Sequence, residues 1–166
     1  MKPVVHTYED ADQWRRARGR YIGSSESAAL FGLSPYLTRF QLFHIKSDPA
    51  FAASWQEATA AEAVVDWGTR LEPAIIEGIC DKEKLTERQW GGQRIFQHGE
   101  EPRMGATVDS WAVEAERGPV IVEAKNVNYY QWRDNWTDEK LPPWIEVQVQ
   151  HQLACTGYDA AVVGAL

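Results

Sequence analysis

The sequence predicts a single domain, residues 1–166, of the α/β or α+β class, with a small mixed β-sheet flanked by helices. The main observation is the order of patterns along the chain, which runs helices, strands, helices and a final strand. A hydrophobic fraction of 44% over 166 residues is enough for one hydrophobic core. No apolar run reaches the ~18 residues of a membrane span, and the polar N-terminus lacks the features of a secretory signal.

Three short helices are predicted within the first fifty residues. Ser24 or Ser25 is expected to cap the second helix, and Gly32 is expected to end it. Thr38 and Gln41 have the spacing of a capping box for the third helix. The predicted helices cover 8–18, 26–31 and 38 to about 46, whereas 47–60 carries no decisive pattern.

The segment from Ala61 to about Lys84 has the periodicity of an amphipathic helix. Pro73 lies inside this pattern, and because proline removes a helix hydrogen bond, a break or restart is expected near Gly68-Thr69. One apolar stripe is expected on a single face of this segment, formed by Trp67, Leu71, Ile75 and Ile79.

The second half of the chain alternates strand and helix patterns. Apolar runs at 106–113 and 119–125 predict a hairpin centred near Glu116, because a polar segment with Gly118-Pro119 separates them. The other predicted elements are a strand at 93–97, a short helix or irregular arm at 128–136, a helix at 143–156 opened by Pro142-Pro143 and closed by Gly157, and a strand at 159–166.

The hairpin would bring two acids and a lysine to one face. Asp109 and Glu123 are equidistant from its centre, so they would oppose each other with Cβ atoms about 4.5–5.5 Å apart. Lys125 follows Glu123 by two residues and shares that face. Neighbouring carboxylates repel each other, and a hard divalent cation such as Mg²⁺ would remove this cost. The pattern also fits an ordinary hairpin with a cross-strand ion pair, and a register slip of one residue would separate the acids.

Further polar residues are candidates for the same site. Glu72 fits a metal-binding carboxylate on a helix that packs against the hairpin, but the spacing Thr69-x-x-Glu72 also fits a capping box. Gln148 and Gln152 are four residues apart and share one helix face. They fit either ordinary residues at the edge of the core or groups that hydrogen-bond a DNA phosphate or a reacting water.

Charge is unevenly distributed along the chain. The net charge of −7 counts against a simple nucleic-acid coat, yet residues 1–50 carry seven Lys and Arg against five Asp and Glu. A run of arginines within six residues fits either a solvated helix face or a phosphate-binding patch, because the guanidinium fork binds phosphate oxygens in pairs. The run consists of Arg15, Arg16, Arg18 and Arg20.

Several other classes of site are disfavoured. Cys80 and Cys155 lie far apart, and the four histidines have no metal-binding spacing, which argues against a zinc enzyme and favours a reducing cytoplasm. No Gly-x-x-x-x-Gly-Lys phosphate loop is present for ATP hydrolysis. An aromatic cluster after Lys125 is expected to lie mainly in the core, with a minority able to stack on splayed bases. Its members are Tyr129, Tyr130, Trp132, Trp136 and Trp144.

Five motifs, taken in order, resemble one family. They are Arg18 with Ile22-Gly23-Ser24-Ser25-Glu26, Gly68-Thr69-x-x-Glu72-Pro73, Asp109, Glu123-Ala124-Lys125 and Gln148-Val149-Gln150. Their order and spacing over residues 15–155 resemble the YqaJ-like viral recombinase family, which includes phage lambda exonuclease within the PD-(D/E)XK nuclease superfamily. Each motif alone is weak, and the resemblance is carried by the combination.

The resemblance implies a Mg²⁺-dependent deoxyribonuclease, with Mn²⁺ expected to substitute, that resects linear double-stranded DNA from a 5′ end. The positions that match the family's metal ligands are Glu72, Asp109, Glu123 and the carbonyl of Ala124. Lys125 would help to activate the attacking water, and Gln148 matches an active-site glutamine. Arg18 and Ser25 resemble the pocket that receives the 5′-phosphate.

The resemblance also implies partners and a setting. It implies double-stranded DNA ends, a single-strand annealing protein and a homo-oligomer, in phage-type recombination inside the cytoplasm of a bacterial host. Family members usually continue beyond the position of Leu166, so a shorter C-terminus is expected. Two alternatives share this scaffold: a relative that binds DNA ends or a recombination partner without cutting, and an endonuclease.

Overall fold

The computed structural model describes residues 2–60, 63–136 and 140–166. Its helices are α1 (Ala11–Arg18), α2 (Ser24–Leu30), α3 (Arg39–Ser47), α4 (Pro49–Ala60), α5 (Ala63–Lys82), α6 (Tyr129–Asn135) and α7 (Pro143–Thr156). Its strands are β1 (Val4–Thr7), β2 (Thr86–Trp90), β3 (Arg94–Gln97), β4 (Gly105–Ala106), β5 (Ser110–Glu114), β6 (Gly118–Lys125) and β7 (Ala160–Ala165). None of the described helices is long and apolar enough to cross a membrane.

The described strands form two small sheets. The four-stranded sheet has the order β2-β5-β6-β7, in which β6 pairs antiparallel with β5 and parallel with β7. The three-stranded sheet has the order β1-β3-β4 and is antiparallel. The prediction of a mixed α/β fold with a small mixed sheet flanked by helices is therefore confirmed.

The central strand β6 is buried on both faces, which positions the polar residues at its end. Val120 and Val122 pack with Ile76 of α5 on one side. Ile121 packs with Cys155 of α7 on the other side. Because side chains alternate along a strand, the residues that follow Ile121 at steps of two also face α7.

The helix ends agree with the sequence at two places and differ at a third. Thr38 caps α3 together with Gln41, and α7 ends at Gly157, which has a φ of +72° that favours glycine. The prediction of a serine cap for α2 is wrong, since the cap residue is Gly23. The Gly23 N–H donates to the Glu26 carboxylate at 2.8 Å, so the glutamate satisfies this helix end without a serine side chain.

The predicted break near Gly68-Thr69 is wrong, because α5 runs without interruption from Ala63 to Lys82 and contains Pro73. A proline removes one helix hydrogen bond, but the buried residues Ile75 and Ile79 hold the helix against the sheet, and tertiary packing outweighs the local cost. The predicted apolar stripe is buried only toward the end of α5. Ile75 and Ile79 are buried, whereas Trp67 is 59% exposed.

The predicted strand 106–113 is divided between two sheets. Ala106 ends β4, Ser110 begins β5, and residues 107–109 connect them. At this junction the chain approaches Gly91 closely, and the Gly91 N–H donates to the carbonyl oxygen of Asp109 at 2.9 Å. A Cβ atom at Gly91 would lie 1.7 Å from the carbonyl oxygen of Val108, so only glycine fits there.

We expect Gly91→Ala to lower the free energy of unfolding by about 1–3 kcal/mol, because the backbone beside Asp109 must move to admit the methyl group. The matched control is Gly78→Ala on α5, where a Cβ meets nothing within 4 Å and alanine favours the helix by up to about 1 kcal/mol. Urea denaturation measures both changes. Equal unfolding free energies for the two variants would contradict the close approach.

Candidate active site

Asp109 and Glu123 lie at opposing positions of the β5–β6 hairpin. The register pairs Ser110 with Val122 and Glu114 with Gly118, which centres the hairpin on Glu116 as predicted. The register therefore places Asp109, the residue before β5, opposite Glu123. The Asp109 Oδ2 atom accepts a hydrogen bond of 3.0 Å from the backbone N–H of Ala124, which ties the acid to the end of β6.

Glu123 is buried, with 2% of its surface exposed, and each of its oxygens has polar partners. Lys125 Nζ donates to Oε1 at 2.6 Å, and the Gln148 amide also donates to Oε1. The Gln152 amide donates to Oε2 at 2.7 Å. The carboxylate, the ammonium group and the two amides thus form one hydrogen-bonded network between β6 and α7.

Asp109 is half-buried and lacks a cationic partner of this kind. Burial raises the pKa of its carboxyl from the ordinary 3.8 to about 7, and repulsion from Glu123 adds to this effect. The hydrogen bond from Ala124 acts in the opposite direction but is outweighed. The site therefore holds two different carboxylates. The charge of Glu123 is compensated by hydrogen bonds from Lys125 and two amides, whereas Asp109 has no comparable compensation among the described residues.

Glu72 reaches the same region from α5, which packs on the other face of β6. Burial raises the pKa of its carboxyl, and repulsion from Glu123 contributes, whereas Lys125 opposes the shift. The capping-box interpretation of Thr69 and Glu72 is wrong, because both residues lie inside α5 rather than at its start. The structure thus brings the third predicted acid close to the other two.

The residues that match the family's metal, catalytic and 5′-phosphate positions all line one cleft with a volume of about 770 Å³, whereas Gln152, Arg16 and Arg20 do not line it. Arg18, at the end of α1, and Ser25, in the first turn of α2, lie in this cleft with the acids. Burial lowers the pKa of the Arg18 guanidinium, and the same group packs over the Trp14 ring at 4.7 Å. Sequence patterns did not single out Trp14 or Asn126, which also line the cleft.

The donor set fits a hard divalent cation in its chemistry. It offers three carboxylates, from Glu72, Asp109 and Glu123, and the main-chain carbonyl of Ala124, and such cations prefer oxygen ligands. Burial, and after it repulsion from Glu123, raises the pKa values of Asp109 and Glu72, and a bound cation would favour the charged form of both acids. Across the described ranges, however, no three Asp, Glu, His or Cys side chains are already gathered into a metal-binding group.

The raised pKa of Asp109 predicts how the stability of the metal-free protein depends on pH. The folded protein keeps the Asp109 proton up to about pH 7, whereas the unfolded chain releases it near 3.8. Stability should therefore fall as pH rises between these values, by at most about 1.4 kcal/mol per pH unit. Asp109→Asn should flatten the decline in EDTA, as measured by urea denaturation. The same decline in both proteins would contradict the assigned shift.

The expectation that the aromatic cluster after Lys125 lies mainly in the core is wrong for its first members. Tyr129, Tyr130 and Trp132 of α6 are 65%, 67% and 52% exposed. Trp136 and Trp144 are half-buried and line a smaller pocket next to the cleft. Aromatic composition alone does not distinguish a core cluster from one that lies at the surface.

Comparison with solved structures shows the fold. LHK-Exo in complex with dAMP superposes with a TM-score of 0.67 at 20% identity, over 92% of this chain and 73% of that chain. A second structure, the alkaline exonuclease LHK-Exo from Laribacter hongkongensis, gives a TM-score of 0.62 at 19% identity, over 93% and 74% of the two chains. The likeness identifies a PD-(D/E)XK-type fold.

Comparison of sequences shows the family. The uncharacterized protein YqaJ of Bacillus subtilis (strain 168) is 27% identical over an alignment of 161 residues, and the match covers 92% of this chain and 46% of that protein. This chain therefore spans about half the length of that relative. The YqaJ-like viral recombinase domain matches residues 13–159, which is most of the chain. The chain belongs to the YqaJ-like viral recombinase domain family.

Proposed function

We propose that this protein is a Mg²⁺-dependent exonuclease that resects linear double-stranded DNA from a 5′ end during recombination. The observation that carries the proposal is one cleft lined both by three acids with Lys125 and by Arg18. A protein that only bound DNA would gain nothing from acids that face the phosphates. The likeness in fold to an alkaline exonuclease agrees with this proposal.

The metal would be held by Asp109, Glu123, Glu72 and the Ala124 carbonyl. Bound Mg²⁺ supplies charge that stabilises the reacting phosphate and lowers the pKa of a water molecule, and Mn²⁺ would substitute for it. The negative charge of Glu123 is already partly compensated, because Lys125 and two amides donate hydrogen bonds to its carboxylate. Asp109 is the acid that gains most from added positive charge, because burial and its neighbours disfavour its charged form.

Lys125 and Gln148 would orient the attacking water. The Lys125 ammonium group lies 2.6 Å from Glu123 Oε1 and 3.2 Å from Gln148 Oε1, so two partners fix its position in the cleft. A fixed ammonium group can hold a water by hydrogen bonding and stabilise the negative charge that develops on the phosphate. Gln148 anchors both Lys125 and Glu123 from α7.

Arg18 and Ser25 would bind the 5′-phosphate in the same cleft. The Arg18 guanidinium is held by the Trp14 ring, which restricts its motion. Arginine binds phosphate oxygens in pairs, and the Ser25 hydroxyl can donate to a third. Selection of a phosphorylated end would follow from this charge, because a 5′-hydroxyl leaves the half-buried Arg18 without an anion.

The nuclease unit would be this single domain, and its product would pass to a single-strand annealing protein in the cytoplasm of a bacterial host. Homo-oligomeric assembly belongs to the same proposal. These partners rest on the family to which the chain belongs.

The test is digestion of three DNA substrates in Mg²⁺: a linear duplex with 5′-phosphates, the same duplex with 5′-hydroxyls, and supercoiled plasmid. We expect rapid digestion of the phosphorylated duplex, slower digestion of the hydroxyl form and no cutting of the plasmid. Arg18→Ala should remove the difference between the two linear duplexes. Cutting of the plasmid would indicate an endonuclease, and binding of ends without any Mg²⁺-dependent product would indicate a non-cutting relative.

A further inference from the structure

A small pocket opens beside Lys125, and the proposed chemistry gives no role to its aromatic lining. Two half-buried indoles, Trp136 after α6 and Trp144 in the first turn of α7, line it together with the Tyr36 phenol. Its volume is about 220 Å³, below the ~300 Å³ at which pockets for drug-sized ligands begin. The pocket therefore suits one flat ring system rather than a longer stretch of nucleic acid.

The lining combines ring faces with polar groups. The Gln131 amide lies 3.5 Å from the Tyr36 hydroxyl, and this contact between two lining residues links α6 to the turn before α3. Aromatic faces stack on bases of any sequence, and amide and hydroxyl groups can meet the polar edge of a base. A nucleobase matches this mixture better than a purely apolar ligand does.

The position of the pocket relative to the cleft identifies which base it would take. The two cavities share Ser25, Lys125, Asn126 and Gln148. Ser25 belongs to the proposed 5′-phosphate site, and Lys125 to the proposed cutting site. In a 5′-terminal nucleotide, the sugar that carries the base connects the 5′-phosphate to the next phosphate, which is the one to be cut. A pocket that adjoins both sites is where that base would lie.

We propose that this aromatic pocket receives the base of the 5′-terminal nucleotide after the base leaves its pair. The inference rests on the proposed function and deepens it, because stacking would hold the terminal nucleotide while the bond on its 3′ side is cut. Binding would tolerate any sequence, since every base has a ring face to stack.

The experiment compares duplexes with 5′-phosphates in single-turnover digestion, following release of the first nucleotide. One duplex has an abasic 5′-terminal nucleotide, and its matched control lacks the base on the complementary 3′-terminal nucleotide instead. Both have lost the same terminal base pair, which by itself favours opening of the end. We expect the 5′-abasic duplex to react about fivefold to a hundredfold more slowly than the control.

Variants of the pocket complete the test. Trp136→Ala should release the first nucleotide of both duplexes at the same slow rate, and Trp136→Phe should restore the difference. The matched control is Trp132→Ala, one turn earlier on α6 and 52% exposed, which should behave as the wild type. Equal rates for the two duplexes with wild-type protein would overturn the pocket assignment alone. If the protein digests neither of these duplexes, nor a duplex that has all of its bases, the proposed function is overturned as well.

Discussion

Lys125→Ala should nearly abolish Mg²⁺-dependent digestion of a linear duplex. We expect the rate of digestion to fall by about 10²-fold to 10⁴-fold. The ammonium group is the described cation closest to Glu123, at 2.6 Å, and Lys125 is the only lysine among the described residues that line the cleft. Its removal would leave no ammonium group there to hydrogen-bond a water or a phosphate oxygen. The fold should persist with reduced stability, because Glu123 loses its counter-charge while Gln148 and Gln152 still donate to it. Digestion assays and circular dichroism measure the two outcomes.

The control for this substitution is Lys82→Ala at the exposed end of α5, which removes the same charge at a distance from the cleft. Lys82→Ala should digest DNA at the wild-type rate. Wild-type digestion by Lys125→Ala would contradict the role given to the ammonium group. If the rate of digestion fell equally in both variants, the effect would come from the loss of net positive charge rather than from the position of Lys125.

Glu123→Gln should remove digestion and also destabilise the protein, by about 2–4 kcal/mol. The carboxylate accepts from Lys125, Gln148 and Gln152 while 2% exposed. An amide at this position turns an NH₂ group toward donors and leaves the ammonium group without its counter-charge. Urea denaturation near pH 7 measures the stability, and Mg²⁺-dependent digestion measures the activity.

Asp109→Asn is the matched comparison, because it removes the neighbouring acid of the same site. It should also abolish digestion, but it should stabilise the metal-free protein near neutral pH, since the charged form of Asp109 is disfavoured by burial and by Glu123. The two substitutions thus share a loss of activity and differ in the sign of their effect on stability. If Glu123→Gln and Asp109→Asn destabilised the protein to the same extent, the charge of Glu123 would not be better compensated than that of Asp109, and the assignment would be contradicted.

The geometry of the acid pair could be predicted because it depends on local rules. Strand alternation and the equal distances of Asp109 and Glu123 from Glu116 fix the register, and the structure has that register. The four-residue spacing of Gln148 and Gln152 similarly places both amides on Glu123. Capping of α3 by Thr38 depends on residues within a single turn.

Features set by tertiary contacts were missed. β2 is an edge strand whose residues are all exposed, so it lacks the alternation that marks a strand, and Glu87 with a φ of +52° accompanies an irregular register. Pro73 inside α5 is tolerated because the helix packs on β6. The pocket between Trp136 and Trp144 joins residues from α2, α6 and α7, and such a grouping has no signature in the sequence.

The most direct test of the metal site is the anomalous diffraction of crystals soaked in Mn²⁺. We expect a peak between the carboxylates of Asp109 and Glu123, with Glu72 and the Ala124 carbonyl around it and metal–oxygen distances of about 2.0–2.2 Å. The peak should be lost in Asp109→Asn crystals. A peak elsewhere on the protein, or none between these acids in a wild-type crystal, would contradict the proposed metal site.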